Sequence, residues 1–292
     1  MRAYSWFLRF LSWFPLPVIH AFAWPAGQLL CLAGSRRDVA RINLSLCFPQ
    51  LSEAERSTIV RQSLHEFVKP VFESAASWYW PVEKIASMVT KVHALELLQQ
   101  AREDGSGVVL AVPHFGAWEW CSVYLPKLIP DNDLMYLYKP SDDAKVDDFI
   151  HGTRARSGGR PIPANPSGLR TLLRGLKQGE VAAVLPDQRP QNGGGEFAPF
   201  YGIPALTQTL IPKLVQRTGC KVIFMVLRRL PRGRGFELHF LPAHDAIYSS
   251  SRTEALAALN RGVEDCIALD PKQYLWAYKR FGQRHREPRY YD

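Results

Sequence analysis

Short apolar runs and amphipathic segments alternate along most of this chain, and the alternation limits the folds open to it. The runs have the length of buried strands, whereas the amphipathic segments repeat at the helical period. Strands are predicted over Gly107–Val112, Leu134–Tyr138, Val181–Leu185, Lys221–Arg228 and Phe236–Leu241, and helices over 36–80, Ala117–Leu128, Ser167–Lys177, Leu206–Arg217 and Thr253–Leu269. Ser52 and Glu55 form an S-x-x-E pattern, which indicates a helix start. The pattern predicts an α/β fold whose mostly parallel sheet is flanked by helices.

The N-terminal 35 residues contain a long uncharged segment. No Asp, Glu, Lys or Arg occurs from Phe10 to Ser35, and roughly 20 apolar residues suffice to cross a bilayer. Pro15, Pro17 and Pro25 interrupt the segment, and proline kinks or breaks a helix. We therefore predict a hydrophobic membrane anchor over 1–35, kinked or divided into two interfacial helices, followed by the main domain over 36–292.

Two other interpretations of this segment stay open. Arg2 and Arg9 precede the apolar run, and Ala21-Phe22-Ala23 is similar to a signal-peptide cleavage site. A helical hairpin buried in the core would also lack charged residues. If the segment is a retained anchor, the three arginines within 36–41 place the main domain in the cytoplasm, because cytoplasmic flanks are enriched in basic residues.

The charge balance favours an acidic partner. The formal net charge is +9, which suits nucleic acid, anionic lipid or an acidic carrier protein. The sequence carries no nucleic-acid-binding motif, so nucleic acid is not expected as a partner. The 5 cysteines are scattered and form no C-x-x-C pair, which argues against a disulfide framework or a zinc site and favours a reducing compartment.

Candidate catalytic residues follow the strand predicted over Gly107–Val112. His114 and Glu119 are five positions apart, a spacing that puts them on different faces of a regular helix. They converge only if His114 lies in the loop before the helix, a turn that Gly116 permits. A carboxylate beside an imidazole makes histidine a competent general base. A structural histidine is the alternative for this pair taken by itself.

A second polar group follows the strand predicted over Val181–Leu185. Asp187 and Gln188 stand where that strand ends, and an acid there positions a ligand or caps a turn. Gly193-Gly194-Gly195 follows, either as an anion-binding backbone concavity or as a flexible hinge.

Four sequence blocks in the same order resemble one family, the late acyltransferases of lipid A biosynthesis. His114 to Glu119 matches its H-F-G-x-W-E block, and Asp187-Gln188 followed by Phe197 to Gly202 matches its D-Q and F-x-P-F-[FY]-G blocks. Arg41 to Leu44 with Phe48-Pro49, and Pro271 to Trp276, are similar to its flanking blocks. The resemblance covers nearly the whole chain.

The resemblance implies a glycerolphosphate-acyltransferase-like fold and an acyltransferase domain over 36–292. The enzyme would transfer a lauroyl or similar chain, about C10–C14, from acyl carrier protein. The acceptor would be a hydroxyacyl chain of a Kdo-bearing lipid A precursor, at the cytoplasmic face of the bacterial inner membrane. We expect a monomer with no cofactor and no metal. A family member that acylates a lysophospholipid or a phosphatidylinositol mannoside is the alternative, and a non-catalytic basic membrane-binding protein is a remote one.

The resemblance also assigns roles to residues. His114 would be the general base and Glu119 its orienting partner. An arginine before the second block carries function in this family, and Arg154 and Arg156 are the candidates here for binding substrate, with Arg154 preferred. Asp187 and Gln188 would bind substrate. The sequence departs from the family pattern at Arg154, Ala117 and Arg189, which leaves the acceptor and the chain length open.

Overall fold

The computed structural model describes residues 2–32, 34–129, 133–138, 140, 152, 156–190, 194–282 and 290–291. Its α-helices are α1 Arg2–Leu11, α2 Leu16–Leu32, α3 Ser35–Cys47, α4 Glu53–Tyr79, α5 Val82–Ser87, α6 Leu95–Glu103, α7 Cys121–Tyr124, α8 Pro166–Lys177, α9 Leu210–Thr218 and α10 Arg252–Ala268. Its strands are β1 Val89–His93, β2 Val108–Ala111, β3 Leu134–Tyr138, β4 Arg160–Pro163, β5 Val181–Val184, β6 Gly195–Phe200, β7 Ile203–Gln208, β8 Lys221–Arg229 and β9 Phe236–Pro242. Short 3-10 turns cover Trp118–Trp120, Leu125–Lys127, Pro231–Gly233, Asp245–Tyr248 and Pro271–Gln273.

Seven strands form one sheet in the order β1-β9-β8-β2-β5-β3-β4. All neighbours in it run parallel except β8 and β9, which are antiparallel. Strands β6 and β7 form a separate antiparallel hairpin. The predicted α/β fold with a mostly parallel sheet and flanking helices is confirmed.

The central strands are buried on both faces, which explains their continuous apolar sequences. In β2, Val109 and Ala111 join the apolar cluster on one face, and Val108 and Leu110 join the cluster on the other. Helices α3, α4, α8, α9 and α10 contribute to the first cluster, and α2, α4 and α6 contribute to the second. Side chains alternate between the faces of a strand, so each central strand links the two layers.

Local signals set the helix ends. Ser52 and Glu55 form the predicted capping box at the start of α4: the Ser52 backbone N–H donates to Glu55 Oε2 at 2.8 Å, and the Glu55 backbone N–H donates to Ser52 Oγ at 3.3 Å. Helix α9 ends at Gly219, whose φ is 68°, a conformation that glycine adopts without steric cost.

The two N-terminal helices pack along α4. Leu8 and Leu11 of α1 contact Ala75, and Leu16 and Ile19 of α2 lie in the core beside Ala76. Their outer sides expose large apolar side chains: Trp6, Phe7, Phe10, Trp13, Phe22, Trp24, Leu29 and Leu32, here named the apolar face. None of the described helices is by itself long and apolar enough to span a membrane, whereas the bent pair α2 and α3, at 75° to each other, passes that test jointly.

The structure differs from the sequence prediction in the start of one helix and in several strands that are not predicted. A helix is predicted to start at Leu206, but residues 206–208 complete β7, and α9 begins at Leu210. Strands β1, β4, β6 and β7 are absent from the prediction. Strand β4 has the sequence RPIP and lies at the sheet edge, where proline is tolerated because one row of backbone donors has no partner strand.

Candidate active site

Two loops meet where β2 and β5 end. These strands are parallel neighbours, and their register pairs Ala111 with Val184. His114 and Asp187 each lie three residues beyond those paired positions. The register therefore brings the two side chains together at the carboxyl edge of the sheet, where α/β proteins place ligands.

Asp187 binds both the backbone and the ring of His114. The His114 backbone N–H donates to Asp187 Oδ2 at 2.9 Å, and His114 Nδ1 lies 2.7 Å from Asp187 Oδ1. The Asp187 side chain is only 2% exposed. A buried carboxylate that holds a residue at two points fixes both the position and the ring orientation of that residue.

The electrostatics select one tautomer of His114. Burial acts to raise the pKa of Asp187, but the charge and hydrogen bonds of His114 outweigh it, so this pKa lies below its usual range. An ionised carboxylate only accepts hydrogen bonds, so His114 Nδ1 carries the proton. His114 Nε2 is then the acceptor nitrogen of the ring, and the Gln188 side-chain amide donates to it at 3.0 Å.

Two backbone hydrogen bonds, to different segments of the chain, hold the loop after β2 in place. The Gly116 N–H donates to the Gln273 carbonyl at 3.0 Å, and the Ala117 N–H donates to the Leu227 carbonyl at 2.9 Å. Gly116 has a φ of 56°, and a Cβ there would lie 2.1 Å from the Leu227 oxygen. Only glycine satisfies both constraints, so the loop that carries His114 is held against β8.

His114 lies on the wall of an open cleft of about 350 Å³. Helix α4, the loops after β2 and β5, the end of β8 and the segment after α10 line this cleft, through Glu66, Phe67, Pro70, Val71, His114, Gly116, Trp118, Gln188, Arg229, Gln273, Tyr274 and Leu275. Both apolar and polar groups are present, which suits a substrate that has a lipid part and a polar part.

A buried ion pair supports one wall of this cleft. Arg229 Nε and Nη2 donate to the two oxygens of Glu73, each at 2.7 Å. His20 Nε2 lies 2.8 Å from Glu73 Oε1, so the same carboxylate also reaches helix α2. Burial alone would raise the pKa of Glu73, but Arg229 and then His20 hold it far below its usual range.

A second, apolar cavity lies beyond Trp118. It is lined by Val112, Trp118, Glu119, Cys121, Ser122, Tyr136, Leu137, Ala183 and Leu185. Trp118 belongs to both cavities, and its ring centroid lies 5.0 Å from that of His114. The indole therefore separates the His114 cleft from the apolar cavity.

Comparison with protein families assigns residues 2–283 to the family described as bacterial lipid A biosynthesis acyltransferase. The chain belongs to this family. It is an acyltransferase, and the loop that carries His114 lies within the matched residues.

Several relatives of this acyltransferase carry names that differ in the acyl chain. It is 29% identical to the lipid A biosynthesis lauroyltransferase of Escherichia coli, over 92% of this chain and 87% of that protein. It is 27% identical to the palmitoleoyltransferase of the same organism, over 94% and 92%. It is also 27% identical to the myristoyltransferase, over 85% and 76%. Because the identities to relatives with different acyl names are similar, the comparison does not assign an acyl chain length to this acyltransferase.

Three of the predicted site residues of the acyltransferase come together. His114, Asp187 and Gln188 are hydrogen-bonded to one another through His114. Glu119 lies on the wall of the apolar cavity, and its predicted role as the orienting partner of His114 stays a prediction. The carboxylate that the structure hydrogen-bonds to the His114 ring is Asp187, for which the sequence predicts substrate binding.

The two candidate arginines have different positions. Arg154 lies outside the described residues. Arg156 donates to the backbone carbonyls of Ser77 and Trp80 at the end of α4, where a cation satisfies carbonyls that lack a helical partner. Its predicted substrate contact stays a prediction. Arg280, a basic residue near the C-terminus, is buried and donates to the Leu206 carbonyl and to Thr207 Oγ1, so it holds the fold together.

Sequence reasoning misses two residues of the cleft. Trp118 enters the sequence interpretation only as part of a family block, and its place between two cavities is seen only in the folded chain. Arg229 lies one residue beyond the end of a predicted strand, and its partner Glu73 lies on a distant helix. No local pattern reveals such a pair, because it is a tertiary contact.

Proposed function

We propose that this acyltransferase moves a lauroyl or similar chain, about C10–C14, from acyl carrier protein to a hydroxyacyl chain of a Kdo-bearing lipid A precursor. The observation that carries the proposal is the buried Asp187 bound to His114 Nδ1, with His114 Nε2 beside Gln188 on the cleft wall. This is the arrangement that a general base for a hydroxyl group requires.

The proposed reaction has two proton transfers. His114 Nε2 takes the proton of the acceptor hydroxyl while the oxygen attacks the thioester carbonyl. Asp187 stabilises the imidazolium that forms. The tetrahedral intermediate collapses, the new ester forms, and the carrier thiolate leaves and takes the proton back from His114. Gln188 occupies the place of the acceptor hydroxyl before substrate binds, because its amide already bonds Nε2.

Glu119 is proposed as a second catalytic-site carboxylate. It lies one residue after Trp118 and lines the apolar cavity with it. It would act beside Asp187 as an orienting partner of His114, so that its loss impairs the orientation of the base.

The apolar cavity, of about 60 Å³, is proposed to receive one end of the acyl chain, with the rest of the chain in the His114 cleft of about 350 Å³. Its walls are largely aliphatic and aromatic, and it adjoins His114 through Trp118. Ala183 of β5 lies on its wall and is 6% exposed. Ala183→Met should narrow the cavity and reduce use of the longest accepted donor by about tenfold or more relative to shorter donors, since one methylene in an apolar pocket is worth roughly 10- to 200-fold. An unchanged donor profile in a folded variant would move the acyl site elsewhere.

The apolar face is proposed to lie in the cytoplasmic leaflet of the bacterial inner membrane. Trp6 and Trp13 are 70% and 76% exposed, and tryptophan is favoured at the boundary between headgroups and acyl chains. The helices that carry it pack on α4, and α4 also lines the cleft. A monomer inserted in this way would meet its lipid acceptor at the membrane surface.

The positive net charge favours binding of both proposed substrates, acyl carrier protein and the lipid A precursor. Acyl carrier protein is acidic and a lipid A precursor bears phosphates, so a chain with a net charge of +9 attracts either one. No cofactor enters the proposed reaction.

The experiment is an assay of the detergent-solubilised enzyme with a lipid A precursor and acyl carrier protein thioesters of different lengths. The expected product is heavier by one acyl chain, and His114→Ala should lower turnover by about 100- to 10,000-fold. Glu119→Ala should also impair turnover. Consumption of thioester without a lipid A product would favour a lysophospholipid or phosphatidylinositol mannoside as acceptor. Near wild-type turnover in His114→Ala would refute the general base, and salt-sensitive lipid binding without turnover would favour a non-catalytic protein.

A further inference from the structure

Three potential metal ligands meet at the edge of the sheet, away from the cleft. His93 ends β1 and pairs in register with His239 of β9. Their rings are stacked with centroids 4.1 Å apart and 7° between planes. Glu237 lies two residues before His239, on the same face of β9, and its Oε2 is 3.5 Å from the Nε2 atom of each histidine.

Both histidines leave a buried nitrogen without a hydrogen bond. His93 Nε2 and His239 Nε2 are inaccessible to solvent and have no hydrogen-bond partner among the described residues. The distance of 3.5 Å to Glu237 is too long for a good hydrogen bond. Leaving such a group unpaired costs free energy, so a ligand that binds both nitrogens together with the Glu237 carboxylate would stabilise this cluster.

The donor set indicates what that partner is. Two imidazole nitrogens and one carboxylate oxygen suit Zn²⁺ and similar divalent transition metals. Ligands about 2.1 Å from a tetrahedral ion lie about 3.4 Å from one another, and the two Nε2 to Oε2 distances are 3.5 Å. All three ligand atoms lie within 4.8 Å of one another. Because the lone pair of Nε2 lies in the plane of its ring and the two rings are stacked, the rings must tilt toward each other to bind one ion.

We propose that His93, Glu237 and His239 bind a divalent transition-metal ion of the zinc class. The ion would join the edge strand β1 to β9, and its fourth ligand would be water or an anion. No spacing in the sequence predicts this metal site, because the ligands come from strands far apart in the chain.

Arg228 is the group that opposes this proposal. Its Nη2 donates to Glu237 Oε2 at 2.6 Å, and a guanidinium repels a cation. The same contact also holds the carboxylate in place, as partners of metal-binding carboxylates do. The carboxylate has a second oxygen, so a rotation lets one oxygen bind the ion while the other stays with Arg228.

The test measures zinc binding to the purified full chain in detergent after treatment with a chelator. Calorimetry and metal analysis should give one ion per chain, and added ZnCl₂ should raise the melting temperature. His93→Asn, His239→Asn and Glu237→Gln should each weaken binding by at least about 100-fold, since even partners of metal ligands contribute about 10- to 100-fold.

Two variants separate a three-ligand metal site from zinc held by the ion pair or by other surface histidines. Arg228→Gln removes the ion pair to Glu237 but keeps all three ligands, so it should retain zinc. His244→Asn alters a different surface pair, His244 with Asp265 at 2.6 Å, and should also retain zinc. The proposal is overturned if the wild type binds no zinc, or if both His93→Asn and His239→Asn keep the wild-type affinity for zinc. It is also overturned if Arg228→Gln weakens zinc binding as much as Glu237→Gln does. Where a variant fails to fold, the wild-type titration still shows whether the chain binds one zinc ion.

Discussion

Replacing Asp187 by Asn tests the central contact of the site. Asp187 accepts two hydrogen bonds, one from the His114 backbone N–H and one from Nδ1. Asparagine has one carbonyl oxygen and one NH₂ group, so it can satisfy only one of these donors. If its oxygen keeps the backbone N–H, its NH₂ faces Nδ1. The His114 proton then moves to Nε2, and the ring can no longer accept a proton from the acceptor hydroxyl.

The other orientation of the amide keeps the tautomer of His114, but it provides no negative charge to stabilise the imidazolium and it has a cost in stability. If the oxygen faces Nδ1, the NH₂ meets the His114 backbone N–H, and a buried donor is left unpaired at a cost of about 1–3 kcal/mol. In the first orientation the variant loses the general base, which contributes about 100- to 10,000-fold. We therefore expect Asp187→Asn to lower turnover by roughly 1,000-fold, about 4 kcal/mol in the activation barrier, with little change in substrate binding.

The assay is steady-state turnover of an acyl carrier protein thioester with a lipid A precursor, alongside circular dichroism and thermal melting of each variant. Asp265→Asn is the matched control, since it alters another histidine–aspartate pair, with His244, and should change turnover less than about twofold. A folded Asp187→Asn variant within about fivefold of wild type would refute the reasoning. If Glu119→Gln were then inactive, Glu119 would take the place of Asp187 as the orienting carboxylate.

Three further predictions concern the fold and the membrane. Glu73→Gln removes the carboxylate that accepts two hydrogen bonds from the buried Arg229 and leaves Glu66, at 3.3 Å, as its ion-pair partner, so chemical denaturation should show a loss of about 1–3 kcal/mol. Because the pKa of Glu73 is lowered in the folded state, the wild type should lose this stability as pH falls below about 4.3, and the variant should not. Trp6→Ser combined with Trp13→Ser should weaken sedimentation with anionic vesicles by at least about tenfold, with the melting temperature unchanged. Arg156→Ala should lower stability by about 1–3 kcal/mol with KM unchanged, because its guanidinium bonds helix carbonyls; a higher KM in a stable variant would restore its predicted substrate contact.

The position of His114 after a buried strand could be predicted from the sequence, whereas its contact with Asp187 could not. The apolar run before His114 predicts a buried strand with chemistry at its end, and β2 with the following loop confirms the strand and the position of His114 after it. The same reasoning pairs His114 with Glu119 because the two are close in sequence. The carboxylate of Asp187, which is bonded to the ring, comes from the loop after β5, and its proximity depends on β5 being the neighbour of β2.

Elements whose signals are local follow from the amino-acid sequence alone. The apolar runs that form β2, β3, β5 and β8 are continuous because those strands are buried in the sheet, and the capping box at Ser52 and Glu55 acts within one helical turn. The charge-free N-terminal segment likewise indicates that its helices present apolar surface.

Strand order, and the contacts that depend on it, arise only when the chain packs. Edge strands such as β1 and β4 are short and partly polar, so their backbone pairing, and not their side-chain pattern, defines them. The His114–Asp187 bond, the Glu73–Arg229 ion pair and the meeting of His93 with His239 all join residues far apart in the chain. Such contacts form because register and packing bring distant groups to one place, and no local sequence spacing encodes that arrangement.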